Sequence, residues 1–322
     1  MKRFITNLSL YLGIVFVLLF LYTALLFNLC TPQFSGSYQA SFIDKMDTLM
    51  SMEGPKIILV GNSNLAFGMD SALLSEKMGM NVVNLGLHGD LGNVFHESMA
   101  KQNIGEGDIV IVCHSDYDDS DSIVDPAITW ITVENNYEYW GVFRPKDIPG
   151  MIMGLPKYLD RVLCLAITGG GNMETEGAYR RSAFNEYGDN IYPRPESVCS
   201  EEVFQDPKEP EYSASCIRRL NDLNRFCDER GATLLVAGWP IADGDYNFSK
   251  SVYGDFREEL EEKLDCRVIS DFKDYCYDYS LFYDTNLHLT DEGVRLRTEQ
   301  LIEDLERWKS GTDVDGDRFV NE

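Results

Sequence analysis

Apolar and polar positions change their spacing several times along this chain, and each change marks a predicted element. Leu8 to Leu29 is an apolar run without one charge. Roughly 20 apolar residues in helical geometry cross a hydrocarbon core of about 30 Å, so the run predicts a membrane-spanning helix. It is longer than the apolar core of a cleaved signal, about 7–15 residues, and no small-residue cleavage site follows it. Residues 1–30 are therefore expected to be an uncleaved anchor. Lys2 and Arg3 precede the span. Positive flanks stay inside, so a cytoplasmic N-terminus and an extracytoplasmic remainder are expected.

Residues 31–54 are polar and read as a connector with a short helix at Phe42–Met50. From Lys56 onward, short apolar runs alternate with amphipathic segments. Strands are predicted at Lys56–Val60, Asn81–Leu85, Asp108–Cys113 and Thr233–Ala237, with a fifth starting at Arg267–Ile269. The runs are nearly continuous in Val, Ile and Leu, as in strands covered on both faces. Helices are predicted at Ser71–Met78, Val94–Gln102, Ser213–Arg230, Asp255–Leu264 and Asp291–Trp308. This alternation predicts an α/β fold with a doubly wound parallel sheet over residues 55–310. The pattern breaks between residues 117 and 213, which read as an insertion of helices and long loops. Its aromatics Trp130, Tyr137, Tyr139, Trp140 and Phe143 are expected to pack a core rather than line a substrate wall.

Charge narrows the partners. The 322 residues carry a formal charge of −25. Such a surface repels phosphate backbones, so no nucleic acid is expected. It also repels anionic headgroups, which leaves the apolar helix as the device for holding a bilayer. Seven cysteines follow Cys30, an odd number that argues against a fully paired framework. Cys113 and Cys227 read as packed thiols; Cys199 with Cys216, or Cys266 with Cys276, are candidate pairs. Asp313 to Asp317 has the start of a calcium loop, but the chain ends before a twelfth-position carboxylate. An acidic, solvated tail over 311–322 is expected instead.

Candidate chemistry collects at predicted strand ends, where sites form in open parallel sheets. Ser63 follows the first strand in Gly61-Asn62-Ser63-Asn64, a turn of small residues leading toward a helix. His288 lies between the last strand and the last helix. A serine hydroxyl needs a base near neutral pH, and that base needs an acceptor on its other ring nitrogen. Asp284 is the nearest upstream carboxylate.

Taken together, these blocks resemble the SGNH, or GDSL, hydrolase superfamily. Gly61 to Asn64 is similar to its nucleophile block. Asn84-Leu85-Gly86-Leu87-His88-Gly89-Asp90 is similar to the block whose glycine N–H serves an oxyanion hole, which maps to Gly89, with Gly86 as the fallback. Asp284 through His288 is similar to the last block, and Ser63 to Gly68 resembles membrane-anchored members found with surface-polysaccharide modification. The resemblance spans residues 56–113 and 233–308. It implies a flavodoxin-like three-layer domain and an acyl-enzyme mechanism without a cofactor. The implied activity is an esterase or O-acetyltransferase acting on an acylated glycan or small acyl ester, with room for a membrane acyl-transfer partner.

Two positions depart from the family pattern. After the third strand, where an asparagine is usual, stands Cys113-His114-Ser115-Asp116, and Ser115 is the candidate third oxyanion donor. The usual Asp-x-x-His is here Asp284-x-x-x-His288, which leaves open a Ser63–His288 dyad oriented by a backbone carbonyl. Two rival readings follow: an inactive glycan-binding or scaffold relative, and a metal-dependent hydrolase using His88, His114, Asp116 and His288.

Overall fold

The computed structural model describes residues 2–119, 121–204, 210–243 and 252–311. The candidate calcium loop therefore lies outside the described residues. Helix α1 (Lys2–Leu29) stands almost wholly exposed and is followed by α2 (Ser41–Ser51). Strand β1 (Lys56–Val60) leads into the single-turn helix α3 (Ser63–Ala66) and then α4 (Ser71–Met78). Asp70 caps α4 by accepting from Leu73 N at 2.9 Å, and Gly79 ends it in the left-handed region. Strand β2 (Asn81–Asn84), α5 (Asn93–Ala100) and β3 (Ile109–Val112) complete the first half.

Helices α6 (Pro126–Thr132) and α7 (Ile148–Thr168) form the body of the insertion. Its two ends meet: Tyr117 bridges Tyr212, and Ser213 N donates to Tyr117 O at 2.9 Å. The second half comprises α8 (Ala214–Asp228), β4 (Thr233–Val236), β5 (Ile241–Ala242), α9 (Phe256–Glu261), β6 (Arg267–Val268), β7 (Cys276–Tyr277) and α10 (Asp291–Ser310). Ser213 caps α8 through Cys216 N, and Thr290 caps α10 through Gly293 N. Asp291 and Glu292 at the start of α10, with Arg307 and Lys309 at its end, complement its dipole.

The main sheet runs β2-β1-β3-β4-β6, every pair parallel, in a doubly wound order. Both faces are covered. Ile58, Val60, Val110 and Val112 pack toward α2, α5 and α8; Ile57, Leu59, Ile109 and Ile111 pack toward α4 and α10. Alternation within the strands, hidden by their uniformly apolar composition, thus sorts residues between two cores. A short parallel pair, β5 with β7, lies outside the main sheet.

One expectation needs revision, the disulfides, and one feature of the insertion was not foreseen. Asn84 N donates to Tyr187 O at 2.8 Å and Asn190 N to Ala66 O at 2.7 Å, so residues 184–190 are stitched to the carboxyl edge of β2 and to α3. The proposed disulfides are absent: all eight cysteines are free thiols. Cys216 instead faces the core beside Arg219, whose Nη2 lies 3.6 Å away, and Cys276 Sγ meets Phe272 O at 3.8 Å. The insertion aromatics pack only in part: Trp130 is buried and Tyr139 and Phe143 lean on the core, whereas Tyr137 and Trp140 stay exposed in an edge-to-face chain with Trp130 and Phe143, centroids 5.5–6.0 Å apart.

Candidate active site

The position of Ser63 is set by a tightly bonded turn. After β1, Gly61 passes so close to β3 that a Cβ there would lie 2.8 Å from Cys113 O. Asn62 then caps α3: its Oδ1 accepts from Asn64 N at 2.9 Å and from Asn64 Nδ2 at 2.7 Å. Asn64 also donates to Cys113 O at 3.0 Å, and its own Oδ1 accepts from Arg297 Nη2 at 2.8 Å. Arg297 reaches in from α10 and is fully buried. Two sequence-distant pieces, the end of β3 and α10, therefore fix one turn, and Ser63 is its first helical residue.

His288 comes from a loop closed on itself. Phe282 bridges Leu289, Tyr283 N donates to His288 O at 2.7 Å, and the Thr285 hydroxyl accepts from the N–H groups of Leu287 and His288 at 3.2 and 3.1 Å. This closure turns Asp284 and His288 to the same side despite the extra residue between them. His288 Nε2 stands 2.8 Å from Ser63 Oγ, and Nδ1 stands 2.8 Å from Asp284 Oδ1. The Phe67 ring stacks on the imidazole at 4.0 Å and 11°. Tyr38, in turn, stacks on Phe67 with centroids 6.0 Å apart.

A further residue joins this chain. Tyr179, from the insertion, donates its hydroxyl to Asp284 Oδ2 at 2.6 Å and lies 3.2 Å from His288 Nδ1. Asp284 is thus held from both sides. Burial would raise its carboxyl, but hydrogen bonds from His288 and Tyr179 outweigh that and hold it below the usual range. Burial lowers His288, and Asp284 opposes the shift only in part. The imidazole is therefore neutral near pH 7 and free to take a proton. Burial, then Asp284, push the Tyr179 hydroxyl well up, so it stays a donor.

The oxyanion candidates separate clearly. Ser63 and Gly89 each open a helical turn, so their N–H groups have no partner within it. A Cβ on Gly89 would lie 3.9 Å from Asn62 Nδ2, which places the glycine beside the nucleophile turn. Gly86, the fallback, is already committed: its N–H donates to Asn84 Oδ1 at 2.8 Å. Ser115 does not stand alone, since its Oγ accepts from Asn62 Nδ2 at 2.7 Å. The Asn62 amide thus ties the Ser63 turn to the loop after β3, with Nδ2 on Ser115 and Oδ1 on Asn64. A cavity of about 700 Å³ adjoins the site through Ser115, Asn286 and Leu287, and extends along Trp239 and Tyr253; Ser63 and His288 do not line it.

The proposed metal set does not converge. His114 is buried with Nε2 on Glu97 Oε1 at 2.9 Å, and Glu97 is closed off by Arg219 Nε at 2.8 Å. Asp116 is exposed and accepts from Asp118 N at 2.8 Å. His88 Nδ1 accepts from Asp90 N at 3.1 Å, and His288 is engaged as described. Among the described residues, no three His, Cys, Asp or Glu side chains are grouped to hold a metal ion. Next to this network, His96 is fully buried, and burial pushes it down to about 3.

Sequence reasoning named Ser63, His288, Asp284, Gly89 and Ser115, and all five lie within one neighbourhood. It missed Tyr179 and the amide of Asn62. Asn62 was visible as part of the turn, but its rotamer was not; Tyr179 sits in a stretch with no hydropathy period to place it. No protein-family model matches this chain, and neither curated proteins nor solved structures gave a significant match.

Proposed function

We propose that this protein is a serine-dependent acyl-ester hydrolase or O-acyltransferase of the SGNH type. We further propose that it is anchored by α1 and acts on acetyl groups of an extracytoplasmic polysaccharide. One observation carries the reading: an unbroken Ser63–His288–Asp284 chain, with both links at 2.8 Å, at the carboxyl edge of a parallel sheet. Such a chain is the arrangement a hydroxyl needs to become a nucleophile.

In the proposed cycle, Ser63 Oγ attacks the ester carbonyl carbon while its proton passes to His288 Nε2. Asp284 accepts from Nδ1–H and stabilises the imidazolium. The tetrahedral oxyanion is held by the N–H groups of Ser63 and Gly89, each donor worth about 3–4 kcal/mol. The ester C–O bond breaks, the alkoxide leaves with the proton from His288, and an acyl-serine remains. Water or a sugar hydroxyl then gives its proton to His288 and attacks the acyl carbon, releasing Ser63 Oγ, which recovers that proton. Water makes the protein an esterase; a sugar makes it a transferase. Lys2 and Arg3, in the first turn of α1 ahead of its apolar run, support a cytoplasmic N-terminus, with the domain on the other side.

The test uses purified full chain with a chromogenic acetyl ester and a serine-directed covalent probe. Wild type should turn over the ester and carry the probe on Ser63. Equal turnover by Ser63→Ala would remove the nucleophile, and an unlabelled, inactive wild type that still binds glycan would favour a scaffold.

A further inference from the structure

Helix α7 is apolar on two sides, and only one of them is used inside the protein. Met151, Tyr158, Leu159 and Val162 are buried against α6 and the end of α1. The opposite side carries Pro149, Ile152, Met153, Pro156 and Ile167, which recur at helical spacing. Ile152, Met153 and Ile167 are 64%, 82% and 76% exposed, and Asp160 is the only charge within that stripe. Elsewhere on the domain, exposed apolar residues such as Val124 and Ile191 stand singly, as is normal on a soluble surface.

What covers this stripe follows from what α7 touches. Phe27, in the last turns of α1, meets Trp130 at 5.8 Å and Tyr158 at 5.9 Å between ring centroids, and Leu26 is buried in the same cluster. A 28-residue helix is about 42 Å long, more than a hydrocarbon core needs. Its C-terminal turns therefore emerge where the headgroups begin, and α7 is packed directly against them. Trp140 and Tyr137, half-exposed beside Trp130, supply the aromatic residues that favour this depth. The acidic surface offers anionic lipid no attraction, so contact at this level must be apolar.

We infer that the outer stripe of α7 is a second membrane contact, lying in the interface of the leaflet from which α1 emerges. The inference rests on α1 crossing the bilayer. A single span is a swivel; a span plus an interfacial helix fixes the tilt and height of the domain. The catalytic edge is tied to the same corner, because residues 33–37 hydrogen-bond to residues 172 and 180–181, next to Tyr179. The site would then be held at constant distance from the bilayer, suited to an acyl group or glycan presented near the membrane surface.

The experiment reads tryptophan emission from full chain in phosphatidylcholine vesicles, with and without brominated acyl chains, as the difference from the parent. Met153→Trp tests α7, Leu18→Trp tests the span, and Glu303→Trp, at an exposed position of α10, reports water. Expected are blue-shifted, bromine-quenched signals from positions 153 and 18 and an unquenched, red signal from 303. A quenched position 18 with a water-like position 153 would overturn the inference alone. So would a blue-shifted but unquenched position 153, the mark of cover by protein such as a second copy. An unquenched position 18 would remove the spanning reading and this inference with it.

Discussion

Two histidines near the carboxyl edge of the sheet each hold a carboxylate, yet their surroundings are opposite. His114 and Glu97 are sealed, with side chains 0% and 1% exposed. Glu97 also meets Arg219, which continues to Asp119 at 2.7 Å. His288 and Asp284 keep 7% and 20% of their side chains in reach of solvent, and the other ring nitrogen faces a hydroxyl. The pair itself is the same chemistry. What differs is the third member: on Glu97 it is a guanidinium that keeps its protons, whereas on the far nitrogen of His288 it is a serine hydroxyl that can lose one. A histidine–carboxylate pair identifies a site only once its next neighbour is known.

The comparison is broken most severely by removing the imidazole at the open end. Under the proposed mechanism, His288→Ala should lower kcat by about 10⁶-fold, read by ester turnover, with little change in melting temperature. Asp284→Asn should cost about 10⁴-fold. It also removes the carboxylate that partly restores the His288 pKa, so any residual activity should keep its acid limb at still lower pH than wild type. A limb moving upward would contradict the assigned coupling.

At the sealed end the readout changes from rate to stability. Arg219→Leu leaves Glu97 and Asp119 without their shared cation and should destabilise the fold by about 3–5 kcal/mol, measured by urea unfolding. Burial alone would raise Glu97, but His114 and Arg219 outweigh it and hold the carboxyl below the usual range. A depressed carboxyl contributes stability above the ordinary glutamate pKa near 4.3, and that contribution is lost as pH falls through its folded value. Glu97→Gln should therefore flatten the acid side of the stability profile. The smallest effect is expected from Tyr179→Phe. Losing one donor to Asp284 should slow turnover by about tenfold, roughly 1.4 kcal/mol, and raise the Asp284 pKa. An unchanged rate and pH profile would make the tyrosine a packing residue only.

Much of the fold was legible because its signals are local. Every main-sheet strand announced itself as a short Val-, Ile- and Leu-rich run, and boundaries moved by only one or two residues, as with β3 at Ile109–Val112 against the expected Asp108–Cys113. The site was legible where it sits on those strand ends, as at Ser63. It was illegible where a side chain arrives from a region without period. Tyr179 belongs to the insertion, and nothing in its neighbours' spacing predicts a bond to a residue 105 positions away. The spacing Asp284-x-x-x-His288 was readable but not its geometry, because the Thr285 bonds and the Phe282–Leu289 bridge that absorb the extra residue depend on the folded loop.

The stack of rings from Tyr38 through Phe67 to His288 has a practical consequence for anyone preparing this protein without its apolar helix. The domain does not begin at its first strand. A fragment starting at Lys56 would lack Tyr38 and the neighbouring residues bonded to the insertion, and so would leave the back of the imidazole's support open to water. A cloning boundary just after Leu29 retains that wedge, and a weak preparation cut further downstream would say more about the cut than about the chemistry.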